Sequence, residues 1–168
     1  YPLSGFSKIT EEDVANMPLI KGHVSLSDGF VTLSGEGKLR YSNASDNGVT
    51  GASPFAMETS AADGFVLKIS ASSNALLTLT VGRRGGNNDC AFIISDIIVS
   101  EGEDYYFFDF DLFGNLPLDG TLNYISLEFI GAASVTFGDL HAANNTETAA
   151  KKEYKETGDY KLVTGTDF

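Results

Sequence analysis

The chain has 168 residues, a formal net charge of −12, 18 glycines, 12 phenylalanines, no tryptophan and one cysteine. That length fits one domain with short tails, and the glycine, phenylalanine and β-branched content favours β structure with frequent turns. An acidic surface repels phosphate backbones and anionic headgroups, so nucleic acid and membrane surfaces are not expected as partners; neutral ligands, cations and basic proteins are left.

No run of about 18 apolar residues occurs, and membrane insertion is not expected. The start at Tyr1 rather than Met is what an excised fragment or a processed secretory product shows. Cys90, being single, excludes an internal disulfide or a CxxC motif and is expected as a small buried thiol.

Residues 1–22 read as an approach segment, with Thr10 capping a short helix that runs to about Met17 before Pro18 ends it. Short strands are then predicted at 23–27, 30–34 and 38–42, joined by the Asp28-Gly29 and Gly35-Glu36-Gly37 turns. A polar loop at 43–51 follows, then strands at 55–59, 65–70 and 76–82. Leu77, Leu79 and Val81 share one face of the last of these. Arg83 and Arg84 open a polar loop tip, and 90–99 is almost continuously apolar, as in a strand covered on both faces.

The most informative stretch is 104–113, where six aromatics alternate strictly enough to predict one long strand. Tyr106, Phe108, Phe110 and Leu112 form a core row; Tyr105, Phe107, Asp109 and Asp111 form the other row, which mixes large aromatics with carboxylates. That second row is either a ligand face or a face lying under a neighbouring loop. After a turn at 114–120, two closing strands are predicted at 122–130, with core row Ile125, Leu127 and Phe129, and at 134–141. About ten short strands without an amphipathic helix between them predict an all-β sandwich, in its jelly-roll version, over 23–142. Residues 143–168 read as a polar tail or linker.

The closing run from Leu122 to Leu140, ending Val135-Thr-Phe-Gly-Asp-Leu140, resembles the last two strands of galactose-binding-like jelly rolls, the carbohydrate-binding modules of bacterial plant-polysaccharide-degrading systems. The run 64–84 resembles their central strands. The resemblance implies a secreted or cell-surface module, joined to other modules, that binds a polysaccharide or oligosaccharide without cleaving it. Many such modules stack sugars on Trp; here stacking falls to Tyr or Phe. The expected ligand residues are Tyr105, Phe107, Asp109 and Asp111, then Tyr124 and Glu128 beside Ser126, with Arg83 and Arg84 leaving an acidic glycan open. The family also implies a structural calcium ion, on this chain at Asp28, Glu36 and Asp139; loops 43–47 and 87–89 are competing oxygen-rich places, and all three residues also suit turns.

Two further readings stay open. Asp109 and Asp111, side by side on a strand, match part of the carboxylate arrangement of a retaining glycosidase, but no Glu stands at either end to serve as general acid. An interaction or scaffold domain of an adhesin or surface complex would instead present the aromatic and acidic face to a basic partner. His23 and His141, near the first and last strands, form a metal-binding pair only if those strand ends meet.

Overall fold

The structure, a computed structural model, describes residues 22–27, 29–42, 57–58, 64–83, 90–113, 121–143 and 161–163. The helix expected before Met17, the loops at 43–51 and 84–89, and the turn at 114–120 lie outside them. Among the described residues no helix is long and apolar enough to cross a membrane.

Among the described residues twelve strands run in chain order: β1 His23–Ser27, β2 Phe30–Ser34, β3 Leu39–Ser42, β4 Met57–Glu58, β5 Gly64–Ala71, β6 Ala75–Arg83, β7 Cys90–Val99, β8 Gly102–Asp109, β9 Thr121–Leu122, β10 Tyr124–Ile130, β11 Ser134–Ala143 and β12 Lys161–Val163. They form a six-stranded sheet, β1-β2-β11-β5-β8-β12, facing a four-stranded sheet, β3-β10-β6-β7, with β4 and β9 as a separate two-stranded ladder. The inner strand orders β2-β11-β5-β8 and β3-β10-β6-β7 are those of a jelly roll. Among these eight strands the chain crosses between sheets at every connection except the β6–β7 hairpin. The expected all-β sandwich is therefore present. Within the segment expected as a polar tail or linker, Lys161–Val163 pairs in parallel with β8 at the sheet edge.

The core follows from alternation. Val31 and Leu33, Phe65, Leu67 and Ile69, Leu77, Leu79 and Val81, and Ile125, Leu127 and Phe129 point inward as their period of two requires. Phe65 stacks on Phe108 at 5.1 Å and on Phe113 at 6.1 Å, while Phe137 meets Phe129 at 6.0 Å and the edge of Tyr41 at 5.4 Å.

Three expectations are corrected. The aromatic strand ends at Asp109, and Phe110–Phe113 is a 3-10 turn. Side chains three apart eclipse in that geometry, so Phe113 joins Phe110 in the core and Leu112 is only partly buried. Strand β7, secondly, is not covered on both faces, for it is the sheet edge, with Ile93 62% and Ile98 60% exposed. Its apolar run is divided by a bulge: the register slips between Leu77 and Leu79, so Ser95 and Asp96 together oppose Thr78, and Asp96 takes φ 57. Thirdly, Cys90 is half-buried rather than enclosed.

Phe107 and its cross-strand neighbour Val66 point away from the main core, yet are 1% and 0% exposed, with Tyr105 packed against them. Phe107→Ala is therefore expected to cost about as much as Phe108→Ala, about 3–5 kcal/mol each, and Tyr105→Ala less. Urea unfolding of the three variants checks this ordering, and a Phe107→Ala loss near that of an exposed site would remove the second cluster.

Candidate functional site

The outer face of the six-stranded sheet is organised in cross-strand rows. Ser27 pairs with Phe30, Gly138 with Lys68, and Lys68 with Tyr105, so one row runs Ser27, Phe30, Gly138, Lys68, Tyr105 across β1, β2, β11, β5 and β8. The neighbouring row is Ser25, Thr32, Thr136, Ser70 and Glu103. One row is aromatic and cationic; the other is four hydroxyls and a carboxylate.

Gly138 shapes the first row. A Cβ there would lie 2.5 Å from Cδ1 and 2.8 Å from Cγ of Phe30, so the glycine makes room for the Phe30 ring to lie across β11. The ring thereby reaches Lys68, whose Nζ sits 5.8 Å from the Phe30 centroid and 5.3 Å from that of Tyr105. A cation between two rings is held by both quadrupoles. Lys68 also donates to Glu103 at 2.9 Å, and this bond is the main reason its ammonium is held above the ordinary lysine range.

Tyr105 closes the other side. Its hydroxyl donates to Oδ2 of Asp139 at 3.1 Å. Asp139 reaches it from a second bulge, where β11 slips register between Gly138 and His141 and Asp139 takes φ 51, a left-handed conformation that Asp tolerates. Burial, and then the Asp139 hydrogen bond, push the Tyr105 phenol above its ordinary range. In the second row the Thr32 and Thr136 hydroxyls share a 2.8 Å hydrogen bond.

No protein-family model matches this chain, and no curated protein does. The site therefore rests on its own chemistry.

Of the residues expected from the sequence, Tyr105 is central, and Asp139 joins it as a hydrogen-bond acceptor. Phe107 stands on the same face but is buried, which removes its ring as a platform. Asp109 and Asp111 are not neighbours on a strand: Asp109 ends β8 and its Oδ1 accepts the Asp111 backbone N–H at 2.9 Å, which caps the 3-10 turn. The two carboxylates therefore do not share one strand face, as the glycosidase reading expected. Tyr124, Ser126 and Glu128 belong to the other sheet. Tyr124 is 7% and Ser126 5% exposed, and Glu128 pairs with Lys38 at 3.4 Å. Arg83 ends β6 opposite Cys90, on the four-stranded sheet; Arg84 lies outside the described residues, as does Asp28.

Of the expected calcium ligands, the two described ones, Glu36 and Asp139, do not converge. Glu36 lies in the turn whose Gly35 N–H bonds Ala133 O at 3.0 Å, while Asp139 is six residues further along β11. At about 3.4 Å per residue the two are roughly 20 Å apart, and calcium needs its oxygens at about 2.3–2.6 Å. His23 and His141 fail as a pair for the same reason: His23 is level with Ser34 and Ser134, and His141 is seven residues on. Among the described residues no group of three or more His, Cys, Asp or Glu is placed to hold a metal ion. Phe30, Lys68 and Glu103 are the site residues that the sequence reading missed, and the hydrophobic-x-hydrophobic pattern before Gly138 was the available signal for that crossing point.

The Tyr105 phenol yields a pH test. Its folded pKa lies above the unfolded value, so the folded state binds the proton more tightly. The associated stability is whole below the unfolded pKa and is lost as pH rises through the folded one. As pH rises through the ordinary tyrosine range, about 10, and beyond it, the parent is expected to lose more melting temperature than Tyr105→Phe. Parallel loss in the two proteins would show that this phenol does not titrate as the geometry requires.

Proposed function

We propose that the chain is a non-catalytic carbohydrate-binding module that takes a polysaccharide, of plant cell walls on the resemblance of its closing strands, across the outer face of the six-stranded sheet. The observation that carries this reading is the Phe30 ring laid over Gly138 in line with Lys68 and Tyr105, beside a row of hydroxyls. Sugar rings offer C–H bonds to an aromatic face and hydroxyls to carboxylates, ammonium groups and side-chain hydroxyls. Phe30 serves as platform, and Lys68, Glu103, Asp139 and the Tyr105 hydroxyl serve as hydrogen-bonding partners. A secreted, multimodular bacterial protein is the setting in which such a module works.

Migration in native gels cast with a panel of plant polysaccharides tests the reading. Retardation by at least one is expected, together with its loss in Phe30→Ala and Tyr105→Ala variants that still melt cooperatively. Asp139→Asn, which keeps the left-handed backbone accessible, is expected to weaken binding by about 1.5–3 kcal/mol, as a lost charge-assisted hydrogen bond does. No reducing ends should be released. Free migration through every gel would transfer the case to the interaction-domain reading, which the exposed aliphatic side chains of the four-stranded sheet favour.

A further inference from the structure

The four-stranded sheet has an outer face of a different kind. Ile130 pairs with Leu76 and Leu76 with Ile98, so three aliphatic side chains, 49%, 43% and 60% exposed, form one row across β10, β6 and β7. The row stops at β7, the sheet edge. Ile93, 62% exposed, is also on β7 but belongs to a different row, opposite Thr80. Five residues separate Ile93 from Ile98, which in an unbroken strand would put them on opposite faces; the bulge at Ser95 and Asp96 brings both outward.

This arrangement is self-complementary. Let a second β7 lie antiparallel to the first across a twofold axis between Ser95 and Asp96. Ile93 then faces Ile98 of the second copy, Ile94 faces Ile97, and Phe92 faces Val99. Each pairing joins like to like: Ile93 and Ile98 are exposed, Ile94 and Ile97 buried at 4% and 1%, and Phe92 packs against the same core as Val99. The bulges meet at the axis, so the device that ordinarily spoils an edge for pairing falls opposite its own copy. Moving the axis one residue either way sets buried Ile94 opposite exposed Ser95, or buried Ile97 opposite exposed Asp96. The twofold register also extends each aliphatic row from three residues to four, Ile130, Leu76, Ile98 and Ile93 of the second copy.

Charge selects the occupant. The chain carries −12, and most of its surface repels a copy of itself. The described charged residues of this sheet, counting Lys38 immediately before β3, are Lys38, Arg40, Arg83, Glu128 and Asp96, three cationic and two anionic, with Lys38 and Glu128 already paired at 3.4 Å. An aliphatic edge without the chain's acidic excess is where two such chains can approach.

We propose that two copies of this chain associate edge to edge through β7, joining two four-stranded sheets into one of eight strands about a twofold axis between Ser95 and Asp96. Sedimentation equilibrium of the whole chain from micromolar to millimolar concentration is the first test. A reversible monomer–dimer equilibrium is expected, and Ile98→Lys and Ile93→Lys, both at exposed positions, are expected to be monomeric throughout while melting like the parent. Asp96→Asn, which lowers the repulsion at the axis and keeps an αL-tolerant residue, is expected to dimerise at least as tightly. The register is read in a Cys90→Ser background, where mixing Ile93→Cys chains with Ile98→Cys chains should give a disulfide-linked dimer on mild oxidation. A parent that stays monomeric at every concentration would overturn the proposal. So would a dimer that survives both lysine variants, or cross-linking of Ile93→Cys chains with each other in preference to the mixture.

Discussion

Phe65 is stacked on Phe108 across the β5–β8 pair, and both rings are fully buried. A strand slipped by one residue turns every side chain to the opposite face, so this contact allows one register and no neighbour of it. In that register Lys68 faces Tyr105, three pairs along, and Val66 faces Phe107. The same ring also meets Phe110 at 6.2 Å and Phe113 at 6.1 Å, so the 3-10 turn that ends β8 is fastened to the stack that aligns it. The surface row of Phe30, Lys68 and Tyr105 is thus a consequence of packing on the far side of the sheet.

Local periodicity was legible, and what depends on neighbours across the sheet was not. The inward rows of β6 and β10 could be read directly, because Leu77, Leu79, Val81 and Ile125, Leu127, Phe129 alternate with polar residues. The end of β8 could not, since Phe110 and Leu112 continue the alternation of a strand while the chain has changed to a three-residue repeat. The bulge in β7 was hidden because a continuous apolar run has no phase to lose. Tyr105 was recognisable as an aromatic on a polar row; its partners Phe30, Lys68 and Asp139 lie on three other strands, 75, 37 and 34 positions away in the chain. Glu36 and Asp139 were grouped as calcium ligands from a resemblance that carried no register, and β2 with β11 spreads the two along the sandwich.

The two outer faces manage charge differently. On the six-stranded sheet an ammonium is placed between rings and tied to Glu103, with Asp139 occupied by the Tyr105 hydroxyl, so the acids nearest the aromatic row already have partners. On the four-stranded sheet charges are few and balanced, and aliphatic side chains take the exposed positions. The faces are on opposite sides of the sandwich, so occupation of one leaves the other accessible.

The bulge in β7 can also be viewed as an insertion of one residue. Because Ser95 and Asp96 share a single opposite position, losing Asp96 would leave Ile93, Ile94, Ile97 and Ile98 on the faces they now occupy. No buried residue would be displaced, and selection for a stable core would have little to act against. What would change is the edge, which would become a straight apolar strand with no charge along its length. Such an edge lacks the kink and the carboxylate that limit pairing, and flat uncharged edges template open-ended aggregation. Asp96 thus bears less on whether the chain folds than on whether the folded chain stays in solution.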